Sequence, residues 1–165
     1  MGVNLVKQYR QAGLADTTPF LSAFTVDETT LPATKDDAVG LFAGAQWAPN
    51  LDNPANKAFV EAFEAEYGYV PSLYAAQGYD AARLIDGAVA KVGGKDDKAA
   101  LIAALKEAPF ESVRGDFSFN TNHFPIQDFY LVKAVKRDDG KYATETVQKV
   151  FDDHQDAYVG ECSMN

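Results

Sequence analysis

The chain has 165 residues, 47% apolar and 24% charged, which is the balance of a folded globular domain rather than a disordered segment. Fifteen Lys and Arg stand against 24 Asp and Glu, a net charge of −9. Binding to a duplex or to an anionic membrane surface needs a basic surplus, so both are disfavoured. No apolar run approaches about 18 residues, so no segment reads as a membrane span.

The opening residues, MGVNLVKQYRQAGLA, read as a helix already under way, with Leu5, Val6, Tyr9 and Ala12 as an apolar stripe and Gly13 as its left-handed stop. They carry neither an apolar signal-peptide core nor a myristoylation pattern, since position 6 is Val. A stripe with no preceding strand to cover leads us to expect a piece of something longer. Phe20–Val26 reads as a strand after the Thr18-Pro19 break, and Asp27–Thr30 opens a short helix toward Lys35. Gly40–Trp47 (GLFAGAQW) is the next strand, apolar on both faces as in a parallel sheet covered by helices.

Asn53-Pro54 is a well-formed helix start, because Asn53 can cap with its side-chain oxygen and Pro54 has no N–H to waste. That helix runs to Tyr67, with Phe59, Val60, Phe63 and Tyr67 on one side and Glu61, Glu64 and Glu66 toward water, and Gly68 ends it. Pro71-Ser72 opens a longer helix to about Val92. Its small residues (Ala75, Ala76, Gly78, Ala81, Ala82, Gly87, Ala88) allow close neighbours and predict a central position. Gly93-Gly94 stops it, and Asp96 or Asp97 caps a third helix through Leu101, Leu105 and Ala108. Asp116–Phe119 is a short strand. Asp128–Arg137 and Tyr142–Phe151 form a hairpin around Asp138-Asp139-Gly140-Lys141. The order is that of an α/β protein, yet the three helices of residues 53–108 need a sheet that the local strands hardly supply.

Residues for chemistry are sparse. Gly93-Gly94-Lys95-Asp96 lacks the first Gly, the following Ser/Thr and the preceding strand of a phosphate loop. His123 and His154 are isolated, and the acidic tail around Asp152, Asp153 and Asp156 lacks the Gly-centred loop of a calcium site. There is no nucleophile elbow. Cys162 is alone, either as an inert tail thiol or with a partner on a missing segment. The reading is of a non-enzyme with no cofactor and no metal. What stands out is aromatic side chains at element ends, where open α/β sheets bind ligands: Phe24, Trp47 and Tyr74.

Three phrases, NLVKQYRQAGL, LDNPANKAFVEAFEAEYGYVPSLYAAQGYDAARLI and SVRGDFSFNTNHFPIQDFYLVKAV, follow one another across essentially the whole chain. They resemble the type I periplasmic solute-binding proteins of ABC importers, in the branched-chain amino-acid (Leu/Ile/Val) receptor branch. The resemblance implies an α/β fold of two lobes, each a Rossmann-like sheet with helices on both faces, present here as an incomplete C-terminal portion. It puts residues 1–47 in lobe II and residues 51–125 in lobe I with its sheet largely missing. Residues 126–165 then return to lobe II with the hairpin and tail, and the hinge is crossed near Ala48-Pro49-Asn50. In such receptors an aromatic at the start of the central helix meets the ligand, and Tyr74 matches it. An acidic residue after the strand holds the ligand's ammonium, and Phe24 stands in that place. Phenylalanine cannot pair a buried cation. Phe24 with Tyr74 therefore suits an aromatic carboxylate first and a branched or aromatic amino acid second. Thr25 or Asp27 could compensate, and Trp47 near the hinge is a further contact. The implied function is extracytoplasmic, periplasmic capture of a small organic acid and its delivery to a membrane ABC permease, together with the missing N-terminal half and without nucleic acid. A ligand-sensing domain of a receptor or regulator with the same fold is the alternative.

Overall fold

The computed structural model describes residues 2–94 and 96–163. Met1, Lys95 of the Gly93-Gly94-Lys95-Asp96 turn, Met164 and Asn165 lie outside them. Helix α1 (Gly2–Gln11) buries Val6 and Tyr9 while Leu5 stays exposed, so its stripe is narrower than the sequence suggests. Gly13 takes the left-handed conformation (φ 70°) that ends the helix. Arg10 donates from Nε to the Asp37 carbonyl (2.7 Å) and from Nη2 to the Val39 carbonyl (2.6 Å), which fixes the turn below α1.

Strand β1 is only Leu21–Ser22, not Phe20–Val26. The cause is local competition for the backbone. Asp27 Oδ1 accepts from the Thr29 N–H (2.9 Å), the Thr29 hydroxyl (2.6 Å) and the Thr30 N–H (3.1 Å), and the Thr30 hydroxyl donates to the Thr25 carbonyl (3.0 Å). These bonds curl residues 25–30 into a turn that leads to the short helix α2 (Leu31–Thr34). Strand β2 (Phe42–Ala45) pairs parallel with β1 but antiparallel with the long β4 (Pro125–Lys136), so the sheet is mixed. Strand β3 (Ser118–Phe119) joins the start of β4. The hairpin is longer than its sequence signal, because β5 (Tyr142–His154) follows β4 through three register irregularities.

Between β2 and β3 run three helices, α3 (Pro54–Tyr67), α4 (Leu73–Lys91) and α5 (Lys98–Lys106). Their ends follow the sequence closely. Asn53, Ser72 and Asp97 each accept from the backbone N–H three residues on, and Gly68 (φ 75°) closes α3. At Gly87 a Cβ would meet the Pro109 carbonyl oxygen at 2.2 Å, so α4 and the chain leaving α5 approach closely. One apolar cluster runs from α1 and the sheet (Val6, Leu31, Val132, Ala134) through Trp47, Ala48 and Leu51 to Phe59, Leu73, Ala76 and Val113.

Helix α4 is not covered on all sides. Gly78, Ala81 and Ala82 are exposed, as are Tyr79, Ile85 and Val89. An apolar trough of about 580 Å³ opens between α3 and α4, lined by Phe59, Phe63, Tyr67 and Tyr79. Among the described residues no strand covers these faces. No helix is long and apolar enough to cross a membrane.

Candidate functional site

The segment after β1 carries Phe24 and Thr25. Asp27 is buried, and its Oδ1 is spent on its own turn. Thr25 packs toward the start of α1, where its methyl would lie 3.0 Å from a Cβ at Gly2. Phe24 instead projects outward, 57% exposed. Tyr74 projects from the first turn of α4, 51% exposed, placed there by the Ser72 cap on Ala75 N–H (3.3 Å). Neither ring stacks on another aromatic among the described residues.

Trp47 lies inside the core. It is 2% exposed, its indole N–H donates to Asn56 Oδ1 (2.7 Å), and its ring meets Phe59 edge-on at 6.2 Å. Asn56 in turn donates to the Pro49 (3.0 Å) and Leu51 (3.1 Å) carbonyls, so the crossing from β2 to α3 is tied into the first turn of α3. Asn50 extends the tie to β5, accepting from the Thr146 N–H (3.0 Å).

Several polar groups escaped the sequence reading. Asp80 on α4 is buried and accepts from the Ser112 hydroxyl (2.6 Å), the Val113 N–H (3.0 Å) and Arg114 Nε (3.0 Å). Arg114 also donates to Gln127 on β4 (2.6 Å) and stacks over Phe117 at 4.2 Å. Glu64 does not face water: its side chain is 16% exposed and pairs with Arg137 and Lys141 (2.9 Å to the latter). The signal for Asp80 was a lone acid on a small-residue face. Glu64 had none, since its partners lie more than seventy residues away.

Charge in the second strand pair is also organised. Burial raises the Asp128 carboxyl, but Lys149 (2.6 Å), the Asp153 N–H (3.0 Å) and the Tyr130 hydroxyl outweigh it and hold it below the usual range. Burial, then the bond to Asp128, pushes the Tyr130 phenol up to about 12.

Glu28 shifts the other way. Burial raises it above the ordinary carboxyl range, and the bonds it accepts from the Thr144 N–H (2.7 Å) and hydroxyl (2.6 Å) offset this only in part. A raised folded value means that the unfolded chain releases this proton first, so Glu28's contribution is present below the usual carboxyl range and lost as pH rises through its folded value. Glu28→Gln keeps an acceptor for Thr144 and removes the titration. In urea melts between about pH 4 and pH 7, the variant is expected to gain on the wild type as pH rises. A difference that does not change with pH would contradict this. Asp128 and Glu64, both lowered, act in the opposite sense in wild type and variant alike.

The sequence profile of the periplasmic binding protein family matches residues 1–141. The chain belongs to that family. A curated relative, Leu/Ile/Val-binding protein homolog 6 of Brucella abortus (strain 2308), is 32% identical over 124 residues, 73% of this chain and 32% of the relative. Among solved structures, a solute-binding protein of an ABC transporter from R. palustris in complex with benzoate is 32% identical with a TM-score of 0.84. It matches 98% of this chain and 43% of that protein. A second, from Rhodopseudomonas palustris BisB5 in complex with 3,4-dihydroxybenzoic acid, is 31% identical with a TM-score of 0.83, over 98% of this chain and 44% of that protein. This periplasmic binding protein chain thus has the type I fold of these neighbours and spans less than half the length of the relatives it matches.

Proposed function

We propose that this chain forms part of the extracytoplasmic solute-binding component of an ABC uptake system, which captures an aromatic carboxylate between two closing lobes and presents it to a membrane permease. Residues 1–47 and 126–165 belong to one lobe and 51–125 to the other. The open faces of α3, α4 and α5 rest on a sheet from the same protein outside these residues. Binding involves no chemistry on the solute, in keeping with a family and neighbours that are solute-binding proteins.

The observation that carries this reading is Phe24, an exposed apolar ring at the position where the resemblance calls for an acid to hold an ammonium. Leaving an ammonium there without a partner is costly, whereas an arene loses nothing against Phe24 and Tyr74. Likeness to a benzoate-bound protein over 98% of the chain supports the same class. Calorimetric titration of the two-lobed protein with benzoate, cinnamate and leucine tests it. The aromatic acids are expected to bind more tightly, and Phe24→Ala to weaken benzoate by about tenfold, roughly the worth of one aromatic contact. Tighter binding of leucine would overturn the assignment.

A further inference from the structure

Under the lobe assignment proposed above, on which this inference rests, Glu64 of α3 belongs to one lobe and the β4–β5 turn to the other. Glu64 receives the Arg137 guanidinium in a fork, Nη1 to Oε1 and Nη2 to Oε2 (3.3 Å), and Lys141 Nζ on Oε2 (2.9 Å). Asp139 steadies the fork by accepting from Arg137 Nη2 (3.0 Å) and from the Lys141 N–H (3.1 Å). We propose that this cluster is an electrostatic clasp that favours the closed arrangement of the lobes, with Glu64 a positioning residue for capture and not a ligand contact.

Two observations support a contact built to part. Beside the ion pairs lies a recess of about 420 Å³, with Glu28, Pro32, Lys141 and Tyr142 on one side and Tyr69 and Val70 on the other. At this point the two sides meet through charges beside unfilled space, and parting them here returns ions to water. The clasp also lies far from the crossing. Asn50 of the crossing bonds Thr146, which is opposite Val132, and the turn follows Lys136, about 13 Å further along β4 at the usual strand rise. A contact at that distance is sensitive to a small rotation at the crossing.

The test uses the two-lobed protein with Cys162→Ser, spin-labelled at Glu61→Cys on α3 and Glu145→Cys on β5. Without ligand and at low salt, Glu64→Gln is expected to add a longer distance to the wild-type distribution, and salt is expected to do the same to the wild type but not to the variant. Arg137→Gln with Lys141→Gln, which leaves α3 intact, is expected to match Glu64→Gln, and either change is expected to weaken benzoate about fivefold or more, mainly through faster release. If benzoate shortens the wild-type distance while both variants keep the wild-type distribution, the clasp is overturned alone. A single wild-type distance that neither benzoate nor salt moves would overturn the two-lobe reading and the clasp with it.

Discussion

Asn56→Ala is expected to cost about 3 kcal/mol or more, because it strands several buried groups at once and each unsatisfied one costs about 1–3 kcal/mol. The Trp47 indole N–H would lose its acceptor at 2.7 Å, and the Pro49 and Leu51 carbonyls would lose their donor. Water cannot substitute easily, since both Asn56 and Trp47 are almost wholly enclosed. A urea midpoint measures the loss, and the pairing of Asn56→Ala with Trp47→Phe identifies its source. Phenylalanine has no N–H to strand, so the double variant is expected to be less unstable than the sum of the two single changes. Simple additivity would show that Asn56 acts through its other contacts.

Asp80→Ala carries the second large effect, about 3–5 kcal/mol, the usual cost of removing one partner from a buried ion pair. Arg114 would remain, 11% exposed, with only Gln127 and the Phe117 face for company. The Val113 N–H and Ser112 hydroxyl would lose their acceptor as well. Replacing both members, Asp80→Ala with Arg114→Leu, removes the stranded charge and is expected to restore part of the urea midpoint. If the double variant falls as far as the sum of the singles, the ion pair is not the source of the loss.

The parts legible in the sequence are those whose causes are local. Asn53, Ser72 and Asp97 cap their helices because the acceptor and the amide it serves lie three residues apart, and Gly68 stops α3 for the same short-range reason. The apolar run predicts a longer β1 than forms, because it does not reveal that Asp27 and Thr30 will bond the backbone and curl it. The sequence sets Glu64 toward water because a helical face shows only its own helix, while its cations come from a turn on the far side of four further elements. Trp47 at the end of its strand gives no sequence sign of whether it meets solute or core, because an aromatic there looks alike in both cases. Its acceptor on the next helix, Asn56, is a partner that the strand end does not announce. Phe24 and Tyr74 stood out by place, one after β1 and one opening α4, and both do project from the surface.

Asn56 gathers the carbonyls of residues 49 and 51 and the ring of residue 47 into a single knot. That stretch consequently behaves as a stiff coupling and not as a slack tether between β2 and α3. Under the two-lobe reading proposed above, this knot leaves the swing between the halves to torsions outside residues 47–56. On that reading a stiff coupling confines the swing to one arc and returns Glu64 to Arg137 at each closure.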